Sequence, residues 1–151
     1  RDRFQWILDT DIKINKIASS MIEWDLDFCR DMVGDGMLTY CSLGKWDKDE
    51  YPFKNSNVKY FHCVAKYPHT EEEALGLMPE KFDNVLVGYS DHSIGIEACK
   101  EAARRGATVI EKHFTTDKKL QCKTESAHIC SMTMNELRSL RDFCDQYHTA
   151  D

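Results

Sequence analysis

The stretch VGYSDHSIGIEACKEAARRGATVIEKHFTTDK, residues 87–118, decides how this sequence is read. Val87 to His92 is a short apolar run that closes on polar residues, and Ala107 to Thr115 repeats that shape. Between them, Ile94 to Arg105 has helical spacing, with Ala98, Cys99, Ala102 and Ala103 forming one apolar stripe. Glu101 and Arg105 make an i,i+4 pair, and Gly106 supplies the stop. Side chains alternate along a strand, so Val109, Glu111 and His113 face one way while Ile110 and Lys112 face the other. Ser90 and His92 share a face by the same count. Two imidazoles, one carboxylate and one hydroxyl are therefore expected at the ends of neighbouring parallel strands, where open α/β sheets and β/α barrels place their sites. That outlines a metal or acid–base site. The competing reading is two ordinary strand-end histidines, hydrogen-bonded and structural.

Outward from this stretch the same alternation continues. An extended run spans Ile12 to Ile17, then Glu23 to Val33 has helical spacing (Trp24, Phe28, Met32) with Gly34 as its stop. Met37–Ser42 and Val58–Val64 read as strands, separated by a polar, proline-containing segment (45–57) expected to be loop. Glu71 to Met78 reads as a short helix whose acidic start, Glu71 to Glu73, suits the positive dipole end. Asn84–Tyr89 and Thr108–His113 are the last two strands. Thr133 and Glu136 form a capping box opening a final helix, with Leu137, Leu140 and Cys144 on one face. Phe4, Trp6, Ile7 and Leu8 look like the end of a helix. Strands alternating with helices predict an α/β fold with a parallel sheet and right-handed crossovers.

The 151 residues suit one domain, and 42% hydrophobic with 30% charged residues is a folded composition. A net charge of −6 speaks against a nucleic-acid partner. No apolar run approaches the ~18 residues of a membrane helix. The seven cysteines form an odd count without a C-x-x-C pair, and several lie inside strand- or helix-like runs. Reduced thiols and a cytoplasmic setting are expected. Cys122 and Cys130, in one loop, are the pair for which a disulfide or zinc ligation stays open. Nucleotide-binding, serine-hydrolase and zinc-finger motifs are absent.

The wording of 87–118 closely resembles the last two βα units of the N-acetylneuraminate (sialic acid) synthase family. Lys16-Ile17-Ala18-Ser19 is similar to the family's strand-4 K-I-x-S, and His62-Cys63-Val64-Ala65-Lys66-Tyr67-Pro68 resembles its HC-x-x-x-YP. The resemblance implies a partial TIM (β/α)8 barrel whose parallel strands correspond to strands 4–8. Such a barrel takes eight strands and about 250 residues. Strands 1–3 and the small antifreeze-like domain are absent from this sequence. A fragment, a chain completed by a partner and an open sheet remain alternatives, and the helix-like first residues favour truncation.

The resemblance also implies an activity. Family members condense phosphoenolpyruvate with an N-acetylated amino sugar, such as N-acetylmannosamine, and release phosphate in nonulosonate biosynthesis. His92 and His113, 21 positions apart, match the two metal ligands, for Mn2+ or Mg2+. Glu111 matches a glutamate of the phosphoenolpyruvate site and, with His113, is the expected catalytic pair. Lys16, Ser19, Ser42, Tyr67 and Ser90 are the expected substrate-binding residues. Asp91 is expected to orient an imidazole from behind, and Lys112 to face the helices. His69, His128 and His148 are expected at the surface. A homo-oligomer is the expected assembly.

Departures from the family pattern leave other readings open. Met21 stands where related synthases often have an acidic residue, Leu43 replaces threonine, and Ala65 replaces an asparagine. The loop Gln121–His128 lacks the family's G-P-D, with Glu125 as a candidate substitute. These differences suit a synthase using another aldehyde sugar. A non-catalytic barrel fragment that binds a ligand or partner chain is the alternative of a different class.

Overall fold

A computed structural model describes residue 5 and residues 9–120 and 127–148. The helix expected at 4–8, Cys122 and Glu125 lie outside the described residues, as does the side chain of His148. Five parallel strands follow one another in sheet order β1 (Ile14–Ile17), β2 (Leu38–Ser42), β3 (Val58–Cys63), β4 (Leu86–Asp91) and β5 (Val109–Lys112). The fold is α/β, as the alternation of elements predicts. The chain divides into two compact units, residues 1–61 and 62–151, with the boundary inside β3.

In the first unit β1 pairs with β2 from Ile14↔Leu38 to Ile17↔Cys41, and β2 pairs with β3 from Thr39↔Val58 to Ser42↔Phe61. Asn15 and Ile17 point to the buried face, while Lys16 points to the other, exposed one. The single helix expected at 23–33 is instead two, α1 (Ser19–Trp24) and α2 (Leu26–Gly34). Asp25 breaks it: its carboxylate accepts the Phe28 amide at 3.1 Å and caps α2. A short acceptor that satisfies a helix-start amide competes with helix continuation. The left-handed turn then falls at Gly36 (φ 84°), not at Gly34. Loop 43–57 is pinned by Tyr60, whose hydroxyl accepts the Phe53 amide at 3.1 Å and donates to the Phe53 carbonyl at 2.7 Å.

In the second unit β4 pairs with β5 from Gly88↔Val109 to Asp91↔Lys112. α3 (Glu71–Leu77) starts with a full capping box between Thr70 and Glu73. α4 (Glu97–Arg104) begins later than its spacing suggests because Gly95 takes φ 83°, which a helix cannot continue. Its stripe of Ala98, Cys99, Ala102 and Ala103 is fully buried, and Gly106 at φ 94° ends it. Ala98, Cys99 and Ala102 pack into a core with Tyr89, Phe82, Met78 and Ala74. α5 (Ala127–Cys130) and α6 (Met134–His148) follow, and Leu140 of α6 completes that core. The Thr133–Glu136 box opens α6 as expected, with Thr133 N donating to Glu136 Oε2 at 2.7 Å. Cys130 is a buried free thiol. Among the described residues no helix is long and apolar enough to cross a membrane.

Candidate active site

Pleating alone sends Ser90, His92, Glu111 and His113 to one face, and the register sets how far apart they stand. Ser90 and Glu111 are ladder partners, and the Ser90 hydroxyl donates to Glu111 Oε1 at 2.8 Å. One step further on, the rings of His92 and His113 lie 5.5 Å apart between centroids, tilted by 36°. Tyr67 covers both, 3.9 Å from the His92 ring and 5.8 Å from that of His113. Burial pushes the Tyr67 phenol up, with the nearby thiols of Cys63 and Cys130 adding to it. A recess of about 200 Å³ at these strand ends is lined by Ser90, Asp91, His92, Glu111, Lys112 and His113.

His92 is nearly closed off from solvent while His113 is exposed. The His92 Nδ1–H donates to the Val64 carbonyl at 3.0 Å, with Cys63 Sγ at 3.8 Å from the same nitrogen. That bond fixes the neutral tautomer and leaves Nε2 carrying the lone pair. Burial holds the imidazole below its ordinary range, so it stays uncharged. Among the described residues no group of three His, Cys, Asp or Glu side chains is placed to hold a metal ion. The His92 and His113 rings stand side by side, and two imidazoles could hold a divalent ion only with oxygen ligands completing its shell.

The imidazole that the Asp91 carboxylate approaches is that of His69, with Nε2 4.0 Å from Oδ1, not that of His92. The Asp91 carboxylate lies on the helix face, where it accepts Tyr89 Oη at 2.8 Å, Ser93 N and Oγ at 3.0 Å, Cys99 Sγ at 3.3 Å and Lys112 Nζ at 2.5 Å. Burial works to raise its pKa, but Lys112 and Ser93 outweigh it and hold the carboxyl below the usual range. Lys112 faces the helices as parity predicts. For His92 the Val64 carbonyl takes the orienting part.

One surface expectation is also corrected, that for His69. His69 is buried at 2% exposure, because its backbone forms a bridge to Ser93; its Nδ1 donates to the Lys66 carbonyl at 3.0 Å. His128 is half-buried, with Nε2 at 2.6 Å from Thr115 Oγ1 and 3.2 Å from the Asp117 carbonyl.

The first unit carries its own polar pair. Lys16 Nζ donates to Ser42 Oγ at 2.9 Å and lies 5.6 Å from the Phe61 ring centroid. A cation and a hydroxyl so placed suit an anionic ligand. Ser19 heads α1 without capping it, Ala18 holding the cap position.

The whole of residues 1–151 matches the NeuB family model. The chain belongs to the NeuB family. The NeuB chain is 35% identical over 113 residues to the N-acetylneuraminate-9-phosphate synthase of Drosophila melanogaster, covering 72% of this chain and 30% of that protein. It is 35% identical over 101 residues to the pseudaminic acid synthase of Campylobacter jejuni subsp. jejuni, covering 64% of this chain and 28% of that one. The crystal structure of an N-acetylneuraminic acid (sialic acid) synthetase from Leptospira borgpetersenii serovar Hardjo-bovis, in complex with citrate, superposes with a TM-score of 0.80 at 26% identity. That match covers 99% of this chain and 54% of the Leptospira chain. The five strands of this NeuB chain accordingly form part of a (β/α)8 barrel, and the chain spans about 30% of the length of its Drosophila relative. The relatives it matches are named as synthases of sialic acids and of pseudaminic acid.

Proposed function

We propose that this chain belongs to an enzyme condensing phosphoenolpyruvate with an N-acetylated amino sugar, N-acetylmannosamine or a relative, with release of phosphate. The observation that carries the reading is the His92–His113 ring pair standing one rung beyond the Ser90–Glu111 hydrogen bond.

In this reaction C3 of phosphoenolpyruvate bonds to the aldehyde carbon of the open-chain sugar, whose oxygen takes a proton to become a hydroxyl. Water adds to C2, and the resulting tetrahedral centre expels phosphate. His92 Nε2 and the His113 ring would hold Mn2+ or Mg2+, which would supply Lewis-acid polarisation of the sugar aldehyde. The Glu111 carboxylate, steadied by Ser90, exchanges protons at Oε1 and Oε2 with water and the reacting oxygens. Tyr67 shields the imidazoles from bulk water and gives the sugar a ring face. Within the first unit, the Lys16–Ser42 pair suits an anionic group of the kind phosphoenolpyruvate carries. Positioned charges, not a covalent nucleophile, supply the rate enhancement.

The relatives named above differ in the sugar acid they make, and Met21 and Ala65 depart from the family pattern. Phosphate release is therefore measured from phosphoenolpyruvate, Mn2+ and a panel of aldehyde sugars. Turnover with at least one N-acylated sugar is expected, and it should vanish on metal chelation. No release with any sugar by the whole protein would overturn the reading and favour a non-catalytic role.

A further inference from the structure

The Asp91 and Lys112 side chains form a charge pair with 0% exposure on both sides, and His69 Nε2 lies 4.0 Å from the same carboxylate. Burying an ion pair is expensive, and apolar side chains of similar volume often stabilise a core as well or better. Stability alone therefore gives no reason for charges here. Their placement does. Asp91 and Lys112 are the last ladder partners of β4 and β5, and each immediately precedes one of the two histidines.

The bonds around the pair form a bracket. Asp91 takes both the amide and the hydroxyl of Ser93, and Lys112 Nζ donates to the Ser93 carbonyl at 2.7 Å. The residues on both sides of His92 are thus fastened to the helix face, and pleating leaves its side chain only the opposite direction. Through Lys112 the same bracket is tied to the residue before His113. Beyond that rung β5 ends, and the next backbone tie is the His113 carbonyl accepting Met132 N at 2.8 Å.

We propose that the buried Asp91–Lys112 clasp is a positioning device: it sets the separation and aim of the His92 and His113 rings from the far side of the sheet. The inference rests on the metal reading above for its purpose, though the geometry it asserts does not need a metal. The charged groups of both residues are engaged with each other and with Ser93. Both act through the backbone of their neighbours.

The decisive variant is the double substitution Asp91→Asn with Lys112→Met, which removes both charges and leaves no buried ion unpaired. Mn2+ affinity is measured by calorimetry, fold by thermal unfolding and near-UV circular dichroism, and ring proximity by the His92–His113 nuclear Overhauser contact in metal-free protein. The expected result is a retained cooperative transition, loss of the inter-ring contact, faster exchange of the Ser93 amide, and Mn2+ binding weakened by about 10–100-fold. A double variant that keeps the inter-ring contact and wild-type affinity overturns the proposal. So does one that fails to fold, since the pair would then serve folding itself. His92→Ala is run alongside. If wild type and His92→Ala bind Mn2+ alike, the metal reading falls, while the inter-ring contact still decides whether the clasp positions the rings.

Discussion

Ser90 and Glu111 face each other across the β4–β5 ladder, and the serine hydroxyl donates to the glutamate Oε1 at 2.8 Å. This bond fixes the rotamer of the carboxylate on a surface where a free glutamate would sweep through several. A hydrogen bond to a charged group contributes about 1.5–3 kcal/mol. Ser90→Ala should therefore lower kcat/KM for phosphate release by about 10–100-fold, since each 1.4 kcal/mol is tenfold. Steady-state kinetics with a working sugar checks this, and an unchanged kcat/KM would remove Ser90 from the site.

The two histidines should respond unequally. Both His92→Ala and His113→Ala are expected to abolish tight Mn2+ binding. Only His92 is buried and holds the Val64 carbonyl, so its loss should also cost about 1–3 kcal/mol of stability. Exposed His113 should cost less than about 0.5 kcal/mol. Denaturant midpoints alongside calorimetry separate the two effects; equal destabilisation by both would contradict the assigned geometry.

His62 predicts an acid limb. Burial first, and the neighbouring His69 second, hold its imidazole below the ordinary range. Its Nε2 has no hydrogen-bond partner among the described residues, and its ring stacks on Tyr89 at 6.0 Å. In the unfolded chain it protonates near pH 6.5, about its ordinary value. Protons therefore bind the unfolded state more readily, and the stabilisation present above about pH 6.5 is lost as pH falls through the folded value. His62→Phe, which keeps a ring against Tyr89, should flatten that limb in denaturant midpoints taken across the range. Superimposable slopes for variant and wild type would refute the assignment.

Packing gives a contrast within one unit. Leu140 is 5% exposed in the core beneath α4, and Leu77 is 61% exposed at the end of α3. Leu140→Ala should cost about 2–5 kcal/mol, whereas Leu77→Ala should stay within about 0.5 kcal/mol. Thermal and denaturant unfolding provide the comparison, and a small loss at Leu140 would mean that α6 packs elsewhere.

Much of the site was legible because strand parity is strictly local. The faces of Ser90, His92, Glu111 and Lys112 follow from counting by two, and the alanine stripe of α4 from counting by three and four. What escaped depends on contacts between segments remote in sequence. Nothing in Tyr67-Pro68-His69-Thr70 signals that a backbone bridge to Ser93 carries His69 inside. The Val64 carbonyl that orients His92 is invisible for a different reason, since every residue has one. Asp91 stands beside an imidazole, but that of His69 and not its sequence neighbour His92, because adjacent strand residues point apart. The split at Asp25 turned on one capping bond competing with a helical pattern that otherwise runs through it.

The β4–β5 ladder also constrains how such an enzyme can diversify. Deleting Val109 or Ile110 would exchange Glu111 for the Lys112 ammonium at the reactive surface and turn the Glu111 carboxylate to the helix-covered face. Length changes are therefore lethal inside the ladder and tolerable only in the segments that join its strands. New sugar preferences must be written into those connections, while the chemistry stays locked to a two-residue rhythm.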